Sequence, residues 1–141
     1  MYIIREAQEK DILEIVAIED LSFPVPWPDF LFRSNLENPG FIVYEDKKKI
    51  IGYAILGTFK SNAHLLSIAV HPTQRKHGIG SLLLQKCISI ARYYGYKSMT
   101  LEVREKNLDG QRFYQANGFK EKESVEGYYL DDNAVRMQRK I

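Results

Sequence analysis

The stretch Val70-His71-Pro72-Thr73-Gln74-Arg75-Lys76-His77-Gly78-Ile79-Gly80-Ser81 is where residue types and spacing first suggest chemistry. Gly78 and Gly80 remove side chains at the start of a helix-periodic segment, so backbone N–H groups there can approach an anion closely. The helix dipole, with Arg75, Lys76 and His77 alongside, adds positive potential. A pyrophosphate fits such a turn; a helix start that simply needs flexible residues would show the same two glycines. Spacing removes two other nucleotide sites. The chain has no Gly-x-x-x-x-Gly-Lys-Ser/Thr phosphate loop, and Leu83 stands where a dinucleotide fingerprint needs its third glycine.

Other side chains invite a chemical reading. Glu102 is the lone charged residue between Ser98 and Val103, and alternation puts it on the side of Ser98 and Thr100, by itself a solvent-facing side. Tyr114 has Phe113 and Phe119 near it in sequence, so its ring has apolar company while its hydroxyl remains a donor. His64, His71 and His77 lack metal-ligand spacing and read as surface or loop residues, and no metal is expected. Cys87 shares a helical face with Ile79, Leu83 and Ile90, which makes it a packing residue; one cysteine supports neither a disulfide nor a thiolate zinc site.

The elements that must position these groups follow from periodicity. Tyr2 to Arg5 reads as a strand, and the apolar recurrence from Asp11 through Ile12, Leu13, Ile15, Val16, Ile18 and Leu21 as an amphipathic helix ending at Ser22. Three prolines stiffen Phe23-Pro24-Val25-Pro26-Trp27-Pro28 into a loop before a short helix over Asp29 to Glu37. Phe41–Tyr44 and Ile50–Phe59 flank a charged hairpin tip, and Leu65–Val70 completes a meander. The period then lengthens for a helix from Ile79 to Tyr94, ending before Gly95. Lys97–Arg104 alternates as a strand; a helix from Leu108 stops at Gly118 with Asn107 as its N-cap; segments around Phe119–Val125 and Ala134–Arg139 close the chain. The result is an α+β domain with a mixed, largely antiparallel sheet, helices on both faces, and one βαβ crossover from Leu65 to Val103 whose strands run parallel.

Length and composition bound the function classes. At 141 residues a single domain spanning 1–141 is expected, and 45% hydrophobic with 27% charged residues is the balance of a folded chain. A formal charge of +2 is far from the basic excess of a phosphate-tracking protein, so no direct nucleic acid binding is expected; Lys47–Lys49 with Arg136, Arg139 and Lys140 read as solvated charges. No export signal or membrane span is legible, so a cytoplasmic address and no membrane partner are the expectation.

The spaced string Leu65-x-x-Ile68-Ala69-Val70-x-Pro72-x-x-Arg75-x-x-Gly78-Ile79-Gly80-x-x-Leu83-Leu84 resembles motif A of the GCN5-related N-acetyltransferases (GNAT). Leu101-Glu102-Val103-Arg104-x-x-Asn107, followed by Arg112-Phe113-Tyr114-x-x-x-Gly118-Phe119, looks like the second half of that family's core, and most like its RimI-type and archaeal protein N-terminal acetyltransferases. The resemblance implies acetyl-CoA as acetyl donor, its pyrophosphate in the turn formed by Arg75, Lys76, His77, Gly78, Ile79, Gly80 and Ser81. It further implies Ile68 and Val70 gripping pantetheine, Ala69 and Val70 amides facing the developing oxyanion, and Asn107 on the pantetheine or adenosine side. Glu102 matches the family's general base and Tyr114 its general acid. A phenol of pKa near 10 can protonate a thiolate of pKa about 8.5 at a cost of about 2 kcal/mol. Transfer would be direct, with no acyl-cysteine.

Amine chemistry narrows the acceptor. Deprotonation at pH 7 costs about 1 kcal/mol for an α-amino group and over ~4 for lysine, so a single carboxylate base suits a peptide N-terminus. Phe23, Pro24 and Trp27 resemble the Phe-Pro-x-Pro-Trp/Tyr loop, and Tyr128 and Tyr129 the late Tyr-Tyr segment, that line the family's peptide groove. Ribosomal proteins are among the implied substrates. The chain departs from many relatives in carrying Asn133-Ala134 where they have Asp-Ala. Two rival readings stay open: an acetyltransferase for a small amine such as a polyamine, and a non-catalytic acyl-CoA-binding module, against which the pairing of Glu102 with Tyr114 argues.

Overall fold

Eleven elements alternate along the chain, and a computed structural model describes residues 1–141 apart from the side chain of Phe59. They are β1 (Tyr2–Glu6), α1 (Ile12–Ser22), α2 (Asp29–Arg33), β2 (Phe41–Asp46), β3 (Lys49–Phe59), β4 (Asn62–Val70), α3 (Ile79–Tyr93), β5 (Ser98–Arg104), α4 (Leu108–Ala116), β6 (Lys120–Tyr129) and β7 (Asp132–Lys140). Short 3-10 turns occupy Glu9–Asp11 and Pro72–Gln74. The strand order is β1-β2-β3-β4-β5-β7-β6. The β1–β2, β2–β3, β5–β7 and β6–β7 ladders are antiparallel, and β4 pairs with β5 in parallel, as the crossover required. Contacts group the chain into two units, Met1–Leu56 with Ser67–Ser89, and Gly57–Leu66 with Ile90–Ile141.

The first unit packs α1 and α2 against β2 and β3. Ile12, Ile15 and Ile18 meet Phe32, Phe41, Val43, Tyr53 and Ile55, all essentially without solvent exposure. Each such side chain contributes roughly 1.5–3 kcal/mol of transfer free energy. Phe32 is the hub, edge-on to Tyr53 at 5.6 Å and tilted against Trp27 at 5.5 Å. Two of the helix residues expected to face inward do not: Leu13 is 77% and Leu21 58% exposed, because α1 is apolar on more faces than one and the sheet covers only the Ile12-Ile15-Ile18-Glu19 stripe. The second helix is also shorter than expected, α2 ending at Arg33, with Asn35 and Leu36 continuing in single turns. In α3 the buried residues are Ile79, Leu83, Leu84, Cys87, Ile88 and Ala91; the helix ends at Tyr93, and Tyr94, expected as its last residue, is exposed.

The second unit holds β5, β7 and β6, in that order, with the first half of β4. Met99, Leu101 and Val103 are buried as alternation predicted, but Thr100 is buried too, so the face of β5 that bears Glu102 is not a solvent face. The closing hairpin is longer than the sequence suggested: β6 runs on to Tyr129 and β7 starts at Asp132, which puts Tyr128 and Tyr129 in a strand. β6 is the outermost strand, and Lys120 to Ser124 are exposed throughout.

Candidate active site

In the first unit the glycine turn has the shape its sequence required. Lys76 and Gly78 sit at φ of 66° and 79°, the left-handed region that favours glycine, and the carbonyl of Gly78 accepts the Leu82 N–H at 3.1 Å as α3 begins. Ile79 and Gly80 therefore open the first turn, where a helix has no carbonyl to offer their amides. A Cβ built on Gly78 would meet nothing within 4 Å, so the turn presents bare backbone beside open space. Arg75, Lys76 and His77 are all exposed around it. Arg75 has a task the sequence did not disclose: its Nε donates to the Val70 carbonyl at 2.9 Å and its Nη2 to the Ser22 hydroxyl at 3.0 Å. It bolts the end of β4 and the end of α1 to the turn, so its guanidinium is held in a fixed position.

The β4–β5 ladder has three residue pairs, Ala63–Met99, His64–Thr100 and Leu65–Leu101. Among the described residues β4 has no register partner in β5 beyond Leu65, so Ile68, Ala69 and Val70 lie past its end. This is the condition under which strand amides are left for a ligand. Phe23 and Trp27 of the α1–α2 loop are half-buried against the first unit's core, and Pro24 is exposed.

In the second unit Glu102 is the centre of a polar cluster, with only 4% of its side chain exposed. His64 Nε2 lies 2.6 Å from its Oε1, Arg136 donates from Nε to its Oε2 at 2.7 Å, and the Tyr128 hydroxyl donates to Oε1 at 3.3 Å. Arg136 also donates to Glu123 Oε1 at 2.5 Å. Burial pushes the Glu102 carboxyl up, but the hydrogen bonds and charges of His64 and Arg136 outweigh it and hold the group below the ordinary glutamate value. Burial and the nearby carboxylate raise the Tyr128 phenol. Tyr129 rests on Arg104, whose guanidinium carbon is 4.3 Å from the ring centre, and Arg104 is paired with Asp131.

Tyr114 is half-buried, its ring edge-on to Phe113 at 5.2 Å and Phe119 at 6.0 Å. Gly118, at φ of 88°, turns the chain so that the Phe119 N–H reaches the Tyr114 carbonyl at 3.0 Å. Asn107 caps α4, its Oδ1 accepting the Gly110 N–H at 2.9 Å. Sequence reasoning missed two members of the Glu102 cluster. His64 is no surface residue: its side chain is 12% exposed, on a strand that begins three residues earlier than its apolar run indicated. Arg136 is no free terminal charge, because the β5–β7 register sets it directly across from Glu102.

A buried carboxylate held ionised is a group that can serve as a general base. The family model described as the acetyltransferase (GNAT) family matches residues 12–119. The chain belongs to that family. Its GNAT relatives include an N-alpha-acetyltransferase of Sulfurisphaera tokodaii, 31% identical over 92% of this chain and 87% of the relative. Another is the ribosomal protein bS18-alanine N-acetyltransferase of Haemophilus influenzae, 33% identical over 92% and 88%. Among solved GNAT structures, Ard1 from Thermoplasma volcanium superposes with a TM-score of 0.94 at 29% identity, covering 99% of this chain and 97% of that one. The protein is an acetyltransferase of this fold. Among the described residues no cluster suits a metal ion, and no helix is long and apolar enough to cross a membrane.

Proposed function

We propose that the protein transfers an acetyl group from acetyl-CoA to the α-amino group of peptides or proteins, with ribosomal proteins among its substrates. The bare turn at Gly78 fits the coenzyme's diphosphate: Ile79, Gly80 and Ser81 open the helix there, with Lys76, His77 and the anchored Arg75 as cations. Ile68 and Val70 bind the pantetheine arm, and Asn107 serves its far side as well as capping α4. Acetyl-CoA supplies a thioester carbonyl open to attack by an amine. Ala69 and Val70 amides stabilise the charge that develops on that carbonyl oxygen.

The observation that carries the reading is the state of Glu102, a nearly buried carboxylate kept ionised by His64 and Arg136. It accepts the proton that the α-ammonium group loses, directly or through water, and His64 at 2.6 Å gives that proton a path onward. Tyr114 donates its phenolic proton to the departing thiolate. Phe23, Pro24 and Trp27 hold the peptide, as do Tyr128 and Tyr129, and the Tyr128 hydroxyl donates to Glu102. Relatives named for N-alpha and alanine N-acetylation support the choice of amine. We place the activity in the cytoplasm, the compartment that suits a lone free cysteine.

The test is turnover of acetyl-CoA with a panel of free-N-terminus peptides, N-blocked lysine peptides and polyamines. Free N-termini should be acetylated fastest. Preference for a polyamine would overturn the substrate assignment, and absence of turnover with retained acetyl-CoA binding would reduce the protein to a binding module.

A further inference from the structure

Glu19 of α1 is 1% exposed, yet among the described residues no Lys or Arg is paired with it. Burial pushes its carboxyl up, against three neutral donors. The Tyr53 hydroxyl from β3 donates to Oε1, with the Ser67 hydroxyl from β4 at 3.5 Å from the same oxygen, and the backbone N–H of Trp27 donates to Oε2 at 2.9 Å. A buried carboxylate without a cation is among the costlier groups a core can hold, and packing alone never requires one. What this one accomplishes is specific. It is the fixed acceptor for the main chain of a loop that three prolines deprive of donors, and Trp27 is where that loop meets the core beside Phe32.

We propose that Glu19 is a positioning residue for the amine-binding surface: it clamps Trp27, and so sets the peptide-facing loop Phe23–Trp27 in its binding conformation. The inference rests on the reading of that loop as part of the peptide groove. Its role is that of an acceptor, and so charge is secondary. In Glu19→Gln the side-chain oxygen still receives the Trp27 N–H while the amide NH2 meets the Tyr53 hydroxyl, which can accept. Glu19→Met keeps the volume and removes the acceptor.

Trp27 is the chain's single tryptophan, so its fluorescence reads the loop without reference to activity. Glu19→Met should raise acrylamide quenching of Trp27 at least twofold, by analogy with the loss of a charge-assisted hydrogen bond. The same variant should raise the KM for a peptide N-terminus about tenfold while kcat and the KM for acetyl-CoA stay within about twofold. Glu19→Gln should stay near wild type in all four measurements. Should Glu19→Met fail to fold, Glu19→Asp, a methylene short of Trp27, takes its place with the same expected loosening. Normal quenching and peptide KM in the acceptor-deficient variant would overturn the proposal, as would a Gln variant equally impaired, or a fall in active fraction with both KM values unchanged. Looser fluorescence in an enzyme that acetylates no peptide would instead keep the clamp and overturn the substrate assignment.

Discussion

Glu102→Gln isolates proton transfer from architecture. The amide oxygen can accept from Arg136 Nε, where the carboxylate Oε2 now accepts at 2.7 Å, and the NH2 then faces His64 Nε2, which accepts in its other neutral tautomer. Arg136 also keeps Glu123, so no guanidinium is left stranded. The variant should fold, with a stability loss of about 1.5–3 kcal/mol for a weakened charge-assisted bond. Removing a general base is worth about 10²–10⁴ in rate, or about 2.7–5.5 kcal/mol of barrier. The assay is steady-state acetylation of a free-N-terminus peptide followed by release of the coenzyme thiol, with calorimetry of acetyl-CoA binding on the same samples. A kcat within tenfold of wild type would refute the base assignment. So would a loss of acetyl-CoA affinity as large as the loss of rate, because the carboxylate would then be a binding group.

The remaining predictions touch the turn, the pH profile and the thiol. In Gly78→Val the new Cβ meets nothing within 4 Å, but a φ of 79° costs a β-branched residue more than the ~1–2 kcal/mol of an ordinary one. The turn should relax, and acetyl-CoA Kd should rise at least about tenfold with only a small fall in Tm; unchanged binding would remove the turn from the coenzyme site. Glu102 is ionised at every pH above the ordinary glutamate value of about 4.3, so kcat/KM should climb with the substrate's own α-amine, to about pH 8. Its pairing with Arg136 and His64 contributes stability that is present above about pH 4.3 and is lost as pH falls through the lower folded value. Arg136→Met removes a donor that holds the carboxyl down, so the acid limb of kcat and the acid unfolding midpoint should both move to higher pH; an unmoved limb would detach Arg136 from Glu102. The Cys87 thiol, fully buried and pushed up to about 12, should resist alkylation at pH 8 until the chain is unfolded, and rapid labelling of native protein would contradict its place in the core.

The glycine turn, the crossover and every strand were legible because each rests on local chemistry: left-handed backbone at Gly78, period two in β5, period 3.6 in α3. Glu102 and Tyr114 were singled out through resemblance. The partners of Glu102 were not, for a definite reason. His64 and Arg136 are 38 and 34 residues away in sequence and meet it only through strand register, which no single segment encodes. His64 was lost to a boundary, since β4 starts at Asn62 and Asn62-Ala63-His64 adds only one small apolar residue to the run that begins at Leu65. Leu13 and Leu21 failed for the opposite reason, an excess of apolar residues on α1 that leaves the covered stripe ambiguous.

The outermost strand has its own consequence. A sheet margin is an invitation to pair with another chain, and the ten residues of β6 are long enough to accept one. Their run of Lys120, Glu121, Lys122 and Glu123 sets charge at each successive position of both faces, so an incoming strand would have to strip hydration from four ionic groups to dock. Glu123 serves in this fence and also tethers Arg136. The protection against aggregation and the anchoring of Arg136 beside Glu102 thus share one residue, and a change that neutralised the margin would register at that carboxylate.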